Sequence, residues 1–226
     1  SSSAVRRTSP QLSWTPAGGE DRLYLSPEAV FDGKTPIRGG VPVCFPQFAS
    51  LGPLPKHGFA RTQLWSVTDT RPGKDFTLVT LRLLDNADTR AEWPHAFAAE
   101  MSIAIGAGRL DIELEVENTG DAPFSFTAAL HTYLKVKEVE AARIAGLRGL
   151  EYRDSADGDT SKLEMNDEVT IDDEVDRIYH GMPPALLVHE GHRTLGIHAE
   201  NLPDVVVWNP WVDKCASLAD MPADGF

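Results

Sequence analysis

The amino-acid sequence predicts an all-β sandwich. Residues 110–117 alternate without exception, with Leu, Ile or Val at even positions and Asp or Glu at odd positions. Period two with one acidic face is typical of an antiparallel strand that covers a core on one side. Stretches with helical periodicity are short, and the best of them, residues 87–92, allows one or two turns. Many short extended runs with little helix indicate a sandwich.

Similar extended runs recur along the chain. They are separated by clusters of Gly, Pro, Asn or Asp, which are typical of turns. A polar stretch at residues 149–167 is predicted to be an exposed excursion between strands. In chain order, the predicted strands lie at residues 22–25, 64–69, 76–85, 97–105, 109–118, 124–136, 185–189, 194–198 and 205–208.

Length and charge limit the classes of function. The chain has 226 residues, enough for one domain with a full core, so we expect a single domain over residues 1–226 and a monomer. The net charge of -13 argues against nucleic acid, because its phosphates would be repelled. A small anionic ligand would therefore need a local cluster of positive side chains.

The cysteines and the apolar segments indicate a compartment. Only Cys44 and Cys215 occur, and the first residues lack the features of a secretory signal, so we expect a reduced, cytoplasmic setting. No apolar run approaches the roughly 20 residues of a membrane-spanning helix, and we expect no membrane partner. Cys44 lies among apolar neighbours and is predicted to be a small buried side chain, not a nucleophile.

Positive side chains cluster in two neighbouring segments. Residues 38–48 read RGGVPVCFPQF, and Lys56 precedes the run HGFAR at residues 57–61. Arg38 and Arg61 offer planar forks of donors suited to phosphate, and Lys56 adds a point charge. Taken one at a time, these residues are better read as solvated surface cations. Together with His57 they predict a site for a small phosphorylated ligand.

These segments and three others resemble the aldose 1-epimerase (mutarotase) superfamily, and within it the hexose-6-phosphate mutarotases. The other three are HTYL at residues 131–134, DRIY at 176–179 and WNPW at 208–211. The resemblance runs from about Leu12 to the last residue. It implies a large, twisted, antiparallel two-sheet β-sandwich of the galactose mutarotase type, with a concave active-site cleft. It also implies an isomerase that interconverts the α and β anomers of a hexose 6-phosphate such as glucose 6-phosphate.

The resemblance assigns roles to two more residues. It implies that His131 is the general acid, although spacing alone favours an ordinary solvent-facing strand position. Opening the sugar ring requires a base at the C1 hydroxyl and an acid at the ring oxygen, and a histidine with a pKa near neutrality suits proton transfer in both directions. No cofactor is needed. Asp176 is implied to bind sugar hydroxyls, and its alternative is a surface acid beside the acidic residues 172–174.

The family's general base is a glutamate that follows the WNPW segment. The given sequence stops at Phe226, so we assign no residue to this role and expect the glutamate just beyond. We likewise expect the domain to lack one or more C-terminal strands. The tryptophans Trp93, Trp208 and Trp211 are predicted to fill the core or to line the cleft.

Other readings of the chain stay open at this point. One is a mutarotase for unphosphorylated aldoses, and another is a non-catalytic sugar-phosphate binding or regulatory module. We assign no metal site. His189 and His192 flank a predicted turn and lack the helical i, i+4 spacing of a zinc protease motif.

Overall fold

The computed structural model describes residues 6–8 and 13–225, and within them the chain is almost entirely β-structure. The described residues fall into two compact units. Unit one runs to Leu25 and from Ala29 to Lys135, and unit two comprises Ser26–Glu28 and the chain from Val136 onward. That both belong to one domain stays a prediction. None of the helices in the described part of the chain is long and apolar enough to cross a membrane.

The described part of unit one contains seven strands and one α-helix. They are β1 (Arg6–Thr8), β2 (Val43–Cys44), β3 (Leu64–Pro72), β4 (Phe76–Leu84), α1 (Ala87–Glu92), β5 (Phe97–Gly106), β6 (Leu110–Asn118) and β7 (Ala129–Leu130), with a 3-10 turn at Ala60–Thr62. Five strands form one antiparallel sheet in the order β1-β3-β4-β5-β6, and β2 pairs with β7. The predictions of β3 to β6 and α1 are confirmed. In β6 the aliphatic side chains pack against the core and the acidic ones are exposed, as the alternation requires.

Aromatic side chains fill the core of unit one. Phe45 is fully buried, and its ring meets those of Phe59, Trp93 and Phe97 at centroid distances of 6.3, 5.6 and 5.3 Å. Each fully buried ring of this kind contributes about 1.5–3 kcal/mol relative to exposure. Trp65, also fully buried, donates from Nε1 to the carbonyl of Ala60 at 2.9 Å. Phe45 and Phe59 belong to the two positively charged segments, so the core anchors both segments.

Unit two holds two four-stranded antiparallel sheets. Its elements are β8 (Ala142–Ala145), β9 (Glu151–Asp154), β10 (Thr160–Leu163), β11 (Glu168–Thr170), β12 (Val175–His180), β13 (Leu186–Glu190), β14 (Arg193–Ile197), β15 (Asp204–Asn209), α2 (Trp211–Ala216) and a 3-10 turn at Val139–Ala141. The strand orders are β10-β9-β12-β15 and β11-β8-β13-β14. The predicted strands at β13, β14 and β15 are confirmed. Residues such as Tyr179, Leu147 and Val205 form the core of this unit.

The predicted exposed excursion at residues 149–167 is wrong in its secondary structure, because this stretch forms the hairpin β9–β10, although most of its residues are exposed. Its two buried carboxylates, Asp154 and Glu164, have partners, which makes their burial tolerable. Lys162 Nζ lies 2.8 Å from Asp154 Oδ2, and Tyr179 donates from its hydroxyl to Glu164 Oε2 at 3.0 Å. Glu164 is only 2% exposed. Polar composition alone therefore predicts a loop where the chain forms a largely exposed hairpin.

The predicted strand at 124–136 is wrong over most of its length, since only β7 forms a ladder there. Its partner segment contains Gly39 and Gly40 with positive φ, and Pro42, which has no N–H to donate. The pairing continues as single bonds, from His131 N–H to the Pro42 carbonyl and from Tyr133 N–H to the Gly40 carbonyl, each 2.9 Å. The predicted strand at 22–25 is likewise reduced to isolated bridges.

Candidate functional site

The two positively charged segments are joined along the backbone of Phe45. The Phe45 carbonyl accepts hydrogen bonds from the N–H groups of Phe59 and Ala60, both at 3.1 Å. Gly58 forms a bridge with Phe45 at a φ of +65°, and a Cβ at this position would lie 2.3 Å from the Phe45 oxygen. Only glycine fits such a close approach. The contact holds residues 56–61 against residues 38–48.

Gln47 closes the loop between these segments. Its side chain is buried, with Nε2 donating to the carbonyls of Ala49 at 3.1 Å and Leu54 at 3.0 Å. Its Oε1 accepts from the N–H of Leu54 at 2.9 Å. These three bonds satisfy the buried amide. The sequence contains no local signal for this role, because the partners of Gln47 depend on the path of the whole loop.

His57 occupies the end of this loop in a defined tautomer. Its backbone φ is +68°, its side chain is 9% exposed, and its Nδ1 lies 3.1 Å from the N–H of Ala49. A backbone N–H can only donate, so Nδ1 accepts and the proton of the neutral ring is on Nε2. Burial is the main cause that lowers the pKa of His57 to about 3, and the charge of Arg61 adds to the effect. His57 is therefore a neutral donor at neutral pH.

His131 lies beside His57. The two imidazole rings meet edge to face with centroids 5.9 Å apart, and the His131 ring stacks on Tyr133 at 4.6 Å and 20°. Burial is the main cause that lowers the pKa of His131 to about 4, and the charges of Arg38, Arg61 and Lys56 add to the effect. The expectation of a pKa near neutrality is therefore wrong for the ligand-free site. A half-buried imidazole near three cations resists a further positive charge.

Arg38, Lys56 and Arg61 form what we call the basic cluster. Their charges lower the pKa of both His57 and His131, so the predicted convergence of positive groups is present. Arg61 Nη2 donates to the carbonyl of Lys56 at 2.8 Å, and Arg38 Nη1 donates to the hydroxyl of Tyr133 at 3.1 Å. The two arginines are half-buried and Lys56 is exposed. All five cationic or imidazole residues predicted for the site thus lie together in unit one.

Cys44 lies among these residues but carries no reactive thiol. It is fully buried in β2, and burial raises the pKa of its thiol to about 11. The nearby charges of Arg61 and Lys56 oppose this shift without overcoming it. A thiol that stays protonated is a poor nucleophile. The prediction of a small buried side chain is confirmed.

Asp176 belongs to unit two. It lies in β12 opposite Trp208 of β15, and its backbone carbonyl accepts from the N–H of Ser155 at 2.7 Å. Its side chain is half-buried. Trp211 packs against the core of unit two, and Trp93 packs against the core of unit one, in agreement with their predicted role as core residues.

The described residues contain no group of three His, Cys, Asp or Glu side chains arranged to hold a metal ion. The histidines of unit two make local contacts. His189 Nδ1 lies 2.9 Å from Thr194 Oγ1, and His198 Nδ1 lies 3.0 Å from the Pro184 carbonyl. These contacts fix the two rings within their own hairpin.

Comparison with known proteins identifies the family. The family model described as aldose 1-epimerase matches residues 11–226. The chain belongs to the aldose 1-epimerase family. This membership confirms the resemblance found in the sequence segments.

Relatives of this aldose 1-epimerase family member have been named. The chain is 36% identical over 218 residues to a protein of Cenchrus ciliaris and 32% identical over 219 residues to a protein of Escherichia coli (strain K12). Both carry glucose-6-phosphate 1-epimerase as a provisional name. The alignments cover 92% and 95% of this chain but 66% and 72% of the relatives, so the chain spans about two thirds of the length of the first.

A solved structure confirms the fold class. The crystal structure of a provisionally named mutarotase from Salmonella typhimurium matches this family member with a TM-score of 0.88 at 32% identity. The match covers 95% of this chain and 72% of the other. The predicted all-β mutarotase fold is therefore correct.

Proposed function

We propose that this protein interconverts the α and β anomers of a hexose 6-phosphate, such as glucose 6-phosphate, by acid/base ring opening and closure. The observation that carries the proposal is the convergence of the basic cluster on His131, whose pKa all three cations lower. A phosphate dianion complements the cations, and a histidine supplies the proton that ring opening requires. The provisional names of the relatives support the same substrate.

The basic cluster would bind the phosphate. The chain carries a net charge of -13, so its overall field repels an anion and the attraction must be local. Charge-assisted hydrogen bonds contribute about 1.5–3 kcal/mol each, which is roughly a ten- to hundredfold change in affinity per contact. Arg38 and Arg61 would use the planar fork of the guanidinium, and Lys56 would act as a point charge.

His131 would protonate the ring oxygen. With a pKa of about 4 in the ligand-free protein, it is neutral at pH 7. A bound phosphate dianion offsets the charges of the basic cluster and raises the pKa of His131 only in part, because burial, the larger cause of the low value, remains. A larger fraction of His131 is therefore protonated beside a phosphorylated sugar than beside free glucose. This difference favours hexose phosphates at the chemical step as well as in binding.

Ring opening then follows from acid–base chemistry. The acid protonates the ring oxygen while a base removes the C1 hydroxyl proton, the C1–O bond to the ring oxygen breaks, and the open aldehyde rotates about C1–C2 before it closes on its other face. Each positioned proton-transfer group typically contributes 10²–10⁴-fold. We assign the base to no residue of the given chain. No step calls for a cofactor.

His57 would donate a hydrogen bond to the sugar, and the family resemblance implies that Asp176 binds sugar hydroxyls. The Nδ1 of His57 already accepts a hydrogen bond from Ala49, so the Nε2–H is the donor left for a ligand oxygen. The carboxylate of Asp176 would accept hydrogen bonds from sugar hydroxyls. Glucose and glucose 6-phosphate share these hydroxyls, so we expect Asp176→Asn to weaken the binding of both sugars by a similar factor.

Titration and anomer exchange together test the proposal. Calorimetry with glucose 6-phosphate, glucose and inorganic phosphate measures the preference for the phosphate, and NMR exchange between anomers measures turnover by the full-length protein. We expect glucose 6-phosphate to bind at least tenfold tighter than glucose. His131→Asn should abolish the accelerated exchange and preserve the circular dichroism spectrum. Equal affinities for the two sugars would indicate a mutarotase for free aldoses, and binding without exchange would indicate a binding module.

A further inference from the structure

We infer that Tyr133 is a positioning residue that couples phosphate binding at Arg38 to the orientation of His131. The inference rests on the proposed function, because it assumes a phosphate at the basic cluster and proton transfer at His131. It adds a residue with two separable contributions, one from the ring of Tyr133 and one from its hydroxyl.

The side chain of Tyr133 contacts both parts of the site. Its ring stacks on the His131 imidazole, with centroids 4.6 Å apart and 20° between the planes. Its hydroxyl oxygen lies 3.1 Å from Nη1 of Arg38 and accepts a hydrogen bond from it. One rigid aromatic side chain therefore connects a cation of the basic cluster with the proposed acid.

The backbone of Tyr133 is held on both sides. Its N–H donates to the Gly40 carbonyl and its carbonyl accepts from the N–H of Tyr24, both at 2.9 Å. The two partners of Tyr133 are also bonded to each other, because the N–H of Gly40 donates to the Tyr24 carbonyl at 2.8 Å. Tyr133 is itself half-buried. A ring on so constrained a backbone can hold the residues that it touches.

The ring contributes to the position of His131. A stacked aromatic face restricts the rotation of the imidazole, and proton transfer to a ring oxygen is sensitive to displacements on the order of 1 Å. The same face attracts a cation, so it favours the imidazolium that forms when a phosphate is bound. Phenylalanine would preserve these effects, and leucine would remove them at similar bulk.

The hydroxyl contributes to the position of Arg38. A guanidinium with one nitrogen held in place loses less rotational freedom when it binds a phosphate, which favours affinity. Free glucose has no group that requires this arginine. The hydroxyl of Tyr133 is therefore expected to influence the preference for phosphorylated over free sugar and to have little effect on the rate at saturation.

Two substitutions separate the contributions. In Tyr133→Phe we expect the affinity for glucose 6-phosphate and for inorganic phosphate to fall about tenfold, with glucose affinity and saturating exchange rate unchanged. In Tyr133→Leu we expect the same loss of affinity and, in addition, a ten- to hundredfold fall in the saturating exchange rate of the full-length protein. Tyr152→Phe, in the core of unit two, is the matched control and should leave the phosphate preference unchanged.

The outcomes distinguish this inference from the proposed function. If both Tyr133 variants keep the parent's phosphate preference and rate, the coupling is wrong. If the variants lose affinity for both sugars equally and also melt at a lower temperature, Tyr133 has only a structural role. This outcome also overturns the inference. A parent protein that neither prefers glucose 6-phosphate nor exchanges anomers defeats the proposed function and this inference with it, before any variant is compared.

Discussion

The backbone N–H of Ala49 donates to Nδ1 of His57 across 3.1 Å, and the N–H of His57 donates back to the Ala49 carbonyl at 2.9 Å. This reciprocal pair closes the loop that contains Lys56 of the basic cluster, and it determines which nitrogen of His57 bears the proton. A histidine in a loop would ordinarily titrate near pH 6.5 in either tautomer. In this protein, burial keeps the ring of His57 neutral, and the hydrogen bond from the Ala49 N–H selects the tautomer with its proton on Nε2.

The first prediction tests this form of His57. In His57→Asn the side-chain oxygen can accept from Ala49, and asparagine tolerates the φ of +68° better than most residues. We expect stability within about 1 kcal/mol of the parent but roughly tenfold weaker binding of glucose 6-phosphate, because the Nε2–H donor is lost. Urea unfolding and calorimetry measure the two quantities. Unchanged binding in this variant would show that His57 does not contact the ligand.

The second prediction concerns stability and pH. The pKa of His57 falls from 6.5 to about 3 in the folded protein, so below about pH 6.5 the unfolded chain binds more protons than the folded one. Stability therefore decreases as the pH falls from 6.5, and the loss continues down to the folded pKa. From pH 6.5 to pH 4 the contribution of His57 is about 3 kcal/mol, at about 1.4 kcal/mol per pH unit.

Urea unfolding across this pH range measures the effect. His131 adds to it in the same direction, because its pKa is also lowered. The carboxylates contribute equally to the pH dependence of stability in the parent and in His57→Asn. The difference between the two unfolding free energies at each pH therefore reports the contribution of His57. We expect a flatter pH dependence in the variant. Parallel curves for the two proteins would contradict the assigned pKa.

The third prediction concerns Arg61 and the phosphate. Arg61→Ala removes one cation of the basic cluster and the donor to the Lys56 carbonyl. We expect a ten- to hundredfold loss of affinity for glucose 6-phosphate and little change for glucose. Arg109→Ala is the matched control, since Arg109 is exposed and pairs with Asp111 at 2.7 Å. If Arg61→Ala lost affinity for glucose and for glucose 6-phosphate by the same factor, the result would argue against a phosphate site.

Local patterns explain which elements the sequence predicts well. β6 alternates without interruption, and its aliphatic residues can face the core only in one register. Helix α1 is short, yet Asn86 accepts from the N–H groups of Asp88 and Thr89 and Thr89 bonds back to Asn86, a complete capping box. Both patterns involve only residues that are close in the sequence. The elements that they predict are therefore found in the structure.

The errors have a common physical cause, which is dependence on distant partners. The strand predicted around His131 fails because Pro42, on the other side of the pairing, lacks an N–H. The polar composition of residues 149–167 predicts a loop instead of the hairpin β9–β10, because composition does not reveal the ion pair of Lys162 and Asp154. The low pKa of His131 depends on burial and on three cations from other segments. The clustering of charged residues in the sequence predicts the phosphate site, and the family resemblance adds His131 and Asp176. The environment of these residues depends on the fold.

The last prediction concerns the glycine that joins the two segments of the site. In Gly58→Ala the new Cβ would lie 2.3 Å from the Phe45 oxygen and 2.5 Å from its carbonyl carbon, on a backbone with φ at +65°. Backbone atoms cannot move aside as a flexible side chain can, so we expect destabilisation of about 2–4 kcal/mol. Gly108→Ala is the matched control, because a Cβ there meets nothing within 4 Å. We expect its unfolding free energy to stay within about 1 kcal/mol of the parent. Because Gly58 holds residues 56–61 against residues 38–48, the variant should also lose the preference for glucose 6-phosphate at temperatures where it remains folded. A Gly58→Ala protein with parental stability and parental preference would show that this close approach does not position the basic cluster.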